Sequence, residues 1–313
     1  MGQDEMREYK IGILYTTIAY IAWGVLPLYW KLIDHIPAIE ILAHRIIWSL
    51  VFVLMIVLVS KKGKQFIATL KEITKNKLKL IGIVVSSIFI TINWATYIWA
   101  VNTDHIIDAS LGYYINPLVS VLLGIIVLKE RLLFWQGISF TLAGIGVLIL
   151  TFQYGSFPWV AFTLALSFGF YGLTKKLAKL DSLIGLVMET MVIAPLALIY
   201  LAVLFKGGVD SFSGASIDVQ LMLMGAGVVT ALPLLWFAAG ANRIPLSVIG
   251  ILQYIAPTIS LLLGVFLYHE HFSKVHFITF LCIWTALLIY SFSKSKLLTS
   301  LQPKFMKNKS LGA

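Results

Sequence analysis

Four charged residues lie inside otherwise apolar runs of this sequence: Glu40, Arg45, Asp108 and Glu189. Charge is costly away from water, and where it is kept it pairs with a partner or handles an ion or a solute. Glu189 could take up a proton as a coupling ion, and Arg45 could hold an anionic group of a solute. The competing reading for each is a structural hydrogen bond to a neighbouring helix or carbonyl. Glu40 and Asp108 lie within a turn of the ends of their runs, where a carboxylate reaches water. Glu40 and His44, four residues apart, share a helical face, while Arg45 points elsewhere. Arg45 and Glu189 each sit six residues in, but from opposite ends, about 9 Å deep at 1.5 Å per residue. Their depths differ by about 12 Å in a core of about 30 Å, so a direct ion pair requires strong tilt.

A second set combines proline with polar tips. Pro117 and Pro257 each fall 11 residues into their runs, about 16 Å deep, at a bilayer's midplane. A proline there frees the carbonyl four residues earlier, that of Tyr113 or Gln253. Tyr114, Asn116 and Tyr254 stand at nearly the same depth. Interrupted helices in corresponding positions of two halves point to a solute site; packed kinks are the alternative. Asn93 and Trp94 form a further deep pair suited to a cavity wall. Trp30, Trp99, Trp135 and Trp159 stand at run ends and read as an interfacial belt. Glu130 and Glu270 read as turn or cap residues. No phosphate-binding glycine loop, paired-histidine zinc helix or serine elbow is present. His269-Glu270-His271 does not place two imidazoles on one helical face, and the lone Cys282 has no partner. No metal, cofactor or catalytic residue is therefore expected.

The elements that must position these residues are helices in lipid. Of 313 residues, 59% are hydrophobic and 12% charged, against about 45–50% and about 25% in soluble domains. Ten runs have the length needed to cross a bilayer: Ile11–Trp30, Ile39–Ser60, Leu80–Ala100, Ile106–Leu128, Leu132–Phe152, Phe157–Leu173, Leu183–Phe205, Val219–Ala239, Leu246–Tyr268 and Val275–Phe292. The longest connection, Lys61–Lys79, reads as a lysine-rich linker. With the N-terminus cytoplasmic, 20 of the 24 Lys and Arg fall in inner segments and three in outer ones, Arg45 being the last. That asymmetry predicts both termini inside. The net charge of +10 thus reads as a topology signal, not a nucleic-acid patch. The polar N-terminus, with no small-residue cleavage site after the first run, predicts no cleaved signal peptide.

Displacing the sequence by 140 residues aligns Asn102–Arg131 with Asn242–His271 at nine identities in 30 positions. The pairs include Tyr114 with Tyr254, Pro117 with Pro257, Gly124 with Gly264 and Glu130 with Glu270. The matched runs are the fourth and ninth, so one unit holds five helices. Five is odd, so the second copy is inverted, as in secondary transporters that rock one repeat against the other.

Several motifs resemble the RarD-type permeases of the EamA branch of the drug/metabolite transporter superfamily. They are Trp23-Gly24 with Pro27-Leu-Tyr-Trp-Lys31, Glu40-Ile-Leu-Ala-His-Arg45, Asn93-Trp94 with Trp99-Ala-Val-Asn102, and Ala109-Ser-Leu-Gly-Tyr-Tyr-Ile-Asn-Pro117. Thr230-Ala-Leu-Pro233, Pro245-Leu-Ser247 and Gln253-Tyr-Ile-Ala-Pro257 follow in the second half. The resemblance runs from Ile11 to Phe292; Tyr114 replaces a phenylalanine of the family pattern. It implies a ten-helix fold of two EamA repeats around a central cavity, and export or exchange of small organic metabolites or drugs.

The expected protein is all-α and polytopic, with ten transmembrane helices in two inverted five-helix repeats. Residues 11–152 form the first repeat, 157–292 the second, and 293–313 a basic cytoplasmic tail. The expected function is ion-gradient-coupled transport of a small molecule, with export favoured, across the cytoplasmic membrane. The lipid bilayer is its environment, nucleic acid is not a partner, and a homodimer is compatible with the sequence. Two alternatives are a membrane enzyme acting on lipid-linked substrates, which requires acids or histidines clustered at one depth, and a sensor, which usually adds a soluble domain.

Overall fold

The computed structural model describes residues 3–128, 134–153, 157–178, 181–241, 243–244, 252–293, 295, 298 and 301. Every regular element among them is helical: α1 (Gln3–Lys31), α2 (Ala38–Val59), α3 (Gly63–Lys75), α4 (Lys77–Asn102), α5 (Ile106–Leu128), α6 (Phe134–Gln153), α7 (Trp159–Ala178), α8 (Ser182–Gly207), α9 (Ile217–Ala241), α10 (Ile255–Leu262) and α11 (Lys274–Phe292). A π-helical turn, Leu263–Leu267, prolongs α10. Six helices are long and apolar enough to cross a membrane among the described residues. Shorter apolar stretches lie at Phe134–Ile149, Trp159–Thr174 and Ile255–Leu267. A multi-pass membrane protein follows, since helices satisfy their own backbone groups in lipid.

The helix ends follow local chemistry. Asp4 and Glu5 stand in the first turn of α1, where carboxylates favour the positive helix end, and α1 begins well before Ile11. Asp181 caps α8 by accepting from the amides of Leu183 and Ile184, and Gly208, at φ 65°, ends it. Burial alone would raise the Asp181 carboxyl, but those amides and Lys62 hold it below the usual carboxylate range. Ser273 and His276 form a reciprocal cap on α11.

Two expectations change. The Lys61–Lys79 linker contains the helix α3, because Phe66, Leu70 and Ile73 recur at helical spacing. Ile73 is buried, and all three belong to a cluster with Val57, Ile83 and Ile184. The expected pair of interrupted helices is found once, not twice. α5 runs through position 117 without a break, which membrane helices tolerate when neighbours take up the freed carbonyl. In the ninth run a turn at Gln253–Tyr254 restarts the helix. Pro257 therefore falls in the first turn of α10, where its missing N–H has no intrahelical acceptor to lose. Most of the run before it, and Glu130, lie outside the described residues.

The heaviest packing runs between the two halves of the chain. α5 and α4 lie along α7, α1 and α2 along α9, α2 along α8, α1 along α10, and α6 along α11. This interleaving leaves apolar side chains such as Leu58, Val59, Leu148, Leu196, Ile199, Val203 and Phe266 pointing outward, as lipid requires.

At the α2–α9 crossing the backbones approach closely. A Cβ at Gly227 would meet the backbone of Trp48 at 2.2 Å and of Ser49 at 2.4 Å, and the Ser49 hydroxyl donates to the Gly227 carbonyl. Gly227→Ala is expected to lower the unfolding midpoint in detergent, at a cost of about 1–3 kcal/mol. Gly82→Ala on α4, where the new methyl meets nothing within 4 Å, is expected to leave it unchanged or slightly raised. Equal midpoints for Gly227→Ala and the native chain would contradict the packing.

Candidate functional site

Arg45 lies seven residues into α2 and is 4% exposed. Its guanidinium carbon sits 4.3 Å from the ring centre of Trp94 on α4 and 5.2 Å from that of Trp30 at the end of α1. Both contacts use the negative faces of the indoles. Tyr97 and Tyr113 stand within electrostatic range. No ion pair of Arg45 is present among the described residues. Its Nε and Nη1, and the indole Nε1 of Trp30, are buried without a hydrogen-bond acceptor among the described residues. Trp30, expected in the interfacial belt, is instead fully buried: its position at a run's end hid the contact with a cation one helix away.

Glu189 on α8 is also buried. Its carboxylate accepts from Ser86 on α4 at 2.8 Å and from Tyr171 on α7 at 3.1 Å. It borders a cavity lined also by Ile46, Ile90, Thr91, Trp94, Thr190 and Ile193, large enough for about one water. The depth gap between Arg45 and Glu189 is thus spanned by Trp94, which packs on the guanidinium and also walls the Glu189 cavity.

The proline-associated residues separate into two groups. Tyr113 turns toward Arg45: its hydroxyl lies 3.4 Å from Asn93 Oδ1, and its ring meets Tyr97 edge-on at 5.6 Å. Tyr114 turns the other way. It hydrogen-bonds Thr258, stacks 6.2 Å from Tyr254, and meets Phe280 and Trp284 edge-on. Tyr114 and Tyr254, equivalent in the internal repeat, therefore face each other. Asn93 is engaged on both ends of its amide, donating to Leu164 O at 3.0 Å and Ser167 Oγ at 3.1 Å. Asn116 donates to Ala165 O. Gln253 lies at the turn before α10, and the Pro257 ring is buried in its first turn.

At the bundle end that carries the α1–α2, α4–α5, α8–α9 and α10–α11 connections, carboxylates tie the two halves together. Glu40, expected to reach water, is 1% exposed. It accepts from the amide and hydroxyl of Ser211, both at 2.7 Å: the α8–α9 connection folds over it, a non-local contact that position within the run does not reveal. Glu270 accepts from the amides of Ile106 and Ile107 at the start of α5, at 2.8 and 2.9 Å. Burial pushes its carboxyl up, and these two amides oppose the shift. Lys31 pairs with Asp104 and lies over the Tyr268 ring. No group of histidine, cysteine and acidic residues suited to a metal occurs among the described residues.

A helical bundle with polar groups buried between interleaved halves defines the class, a polytopic membrane protein. Comparison with known proteins defines the family. The EamA-like transporter family matches residues 10–152 and again 157–292. The chain is 53% identical to the uncharacterized transporter YojE of Bacillus subtilis (strain 168), over 92% of this chain and 96% of that one. It is 40% identical to Protein RarD of Escherichia coli (strain K12), over 91% of this chain and 95% of the relative. A crystal structure of a protein 16% identical matches the fold with a TM-score of 0.61, covering 91% of this chain and 98% of the other. The chain belongs to the EamA-like transporter family, as a RarD-type permease.

Asn93 joins α4, α5 and α7 through its two amide atoms, so its first role is structural. Asn93→Leu, close in volume but without those bonds, is expected to cost about 1–3 kcal/mol, read as a fall in the unfolding midpoint in detergent. An unchanged midpoint would mean that this junction does not hold the helices.

Proposed function

We propose that this EamA-family transporter is a secondary transporter that moves a small organic solute across the cytoplasmic membrane, with export favoured, on a path between the two halves of the chain. One observation carries the reading: buried Arg45 packs on Trp94, and Trp94 and buried Glu189 line one cavity whose walls come from α2 and α4 of one half and α8 of the other. Buried ionisable groups in membrane helices mark ion and solute paths.

The halves are read as two inverted five-helix repeats, ten crossings in all, with both termini cytoplasmic. The helix packing supports this reading. Taking α1, α2, α4, α5 and α6 as one set and α7 to α11 as the other, exchanging equivalents turns each principal contact into another that is present. Thus α5 on α7 becomes α10 on α1, α4 on α7 becomes α9 on α1, and α2 on α9 becomes α8 on α4. The stacked Tyr114 and Tyr254 lie where such an axis would pass. In the proposed cycle the halves rock about this axis. The carboxylate contacts of Glu40 and Glu270 hold the outer end closed, and Glu189 carries the coupling proton.

The test is flux of a broad metabolite panel in proteoliposomes, with and without an imposed pH gradient. At least one solute is expected to move, faster with the gradient, and Glu189→Gln is expected to remove the dependence on the gradient. A panel with no flux would overturn transport; gradient-driven flux that survives in Glu189→Gln would overturn the coupling role.

A further inference from the structure

We infer that the transported solute carries a carboxylate, bound by the Arg45 guanidinium beside the rings of Trp30 and Trp94. The inference deepens the transport reading and rests on it for the word "transported", while the binding site stands on its own geometry.

The guanidinium carbon lies over the rings of Trp30 and Trp94, and cation–π contact supplies no hydrogen-bond acceptor. The N–H donors lie in the plane of the group and need acceptors there. Among the described residues Arg45 Nε and Nη1 have none, and Trp30 Nε1, on the same cluster, has none either. Buried donors are otherwise almost always satisfied, and a buried charge without a counter-ion is the more costly omission. Nitrogens that can only donate, two of them on one buried positive charge, call for an acceptor-only group with in-plane oxygens. A carboxylate has that shape and pairs with arginine through two parallel bonds along one edge, from Nε and Nη2 or from Nη1 and Nη2.

Charge and surroundings narrow the class. Among the described residues no second cation joins the cluster; Lys31 is occupied by Asp104 and Asp34. One guanidinium balances one negative charge, which favours a monocarboxylate over a phosphate dianion. The rest of the wall is aromatic, from Trp30, Trp94, Tyr97 and Tyr113. That wall suits an apolar body on the same solute. Ile46, the residue after Arg45, and Trp94 both border the Glu189 cavity. Trp94 thus touches both the guanidinium and the cavity of the carboxylate proposed to carry the proton, which gives solute binding at Arg45 a contact route to it.

The experiment measures binding to the purified full chain in detergent by tryptophan fluorescence. The probes are three carboxylates, each with its neutral amide: phenylacetate and phenylacetamide, hexanoate and hexanamide, lactate and lactamide. At least one carboxylate is expected to bind about tenfold or more tightly than its amide, as loss of a charge-assisted bond implies. Arg45→Gln is expected to abolish that preference, with helicity and unfolding midpoint measured to show that it folds. Trp30→Phe, which keeps the ring and removes one donor, is expected to weaken the carboxylate severalfold and leave the amide unchanged, and it serves where Arg45→Gln does not fold. Equal binding of every acid and amide, or a preference that survives in both variants, overturns the inference. Carboxylate-selective binding without flux in proteoliposomes would sink the transport reading alone; flux of neutral solutes without carboxylate selectivity would sink the carboxylate alone.

Discussion

The guanidinium of Arg45, buried against two indoles and with no counter-ion among the described residues, sets the problem that the surrounding structure answers. Cation–π contact from Trp30 and Trp94 supplies part of what water would have given. Tyr97 and Tyr113 stand beside it. Holding those rings in place takes α1, α2, α4 and α5, and these helices are in turn gripped by α7, α8 and α9 of the other half. The close α2–α9 crossing at Gly227 and the Asn93 junction of α4, α5 and α7 fix the frame in which one charge can stay buried.

The same frame explains why polar groups are distributed as they are. Carboxylates that lock connections, Glu40 and Glu270, receive backbone amides and sit at one end of the bundle. Glu189 receives hydroxyls and borders a cavity. A carboxylate held by backbone amides gains strong, fixed bonds and suits a latch. One held by the hydroxyls of Ser86 and Tyr171 can change protonation while its neighbours rotate to match. The contrast separates the residues that close the bundle from the one read as handling the proton.

The helical framework was legible because lipid demands long apolar runs, and six helices long and apolar enough to cross a membrane stand among the described residues. Arg45 and Glu189 were legible as intramembrane charges. The tertiary relation between them was not, since Trp94 is needed to bridge their depths. Tyr113 and Tyr114 were grouped by depth, yet neighbouring helical residues point about 100° apart, and they serve different clusters. Tyr97 could have been found, lying three residues beyond Trp94 and four beyond Asn93 on one face. Ser86, Tyr171 and Thr258 leave no local signal, because each matters only through a partner on another helix. Trp30 shows the limit of position within a run: a tryptophan at a helix end reads as interfacial until the neighbouring helix brings a cation to it.

The most direct measurement of the central claim is a structure of the full chain with a bound carboxylate that it selects. The account predicts a carboxylate lying along one edge of the Arg45 guanidinium, its oxygens accepting from Nη2 and from either Nε or Nη1, with the rings of Trp30 and Trp94 packed against the group. A carboxylate bound elsewhere, with Nε and Nη1 both still lacking acceptors, would contradict it.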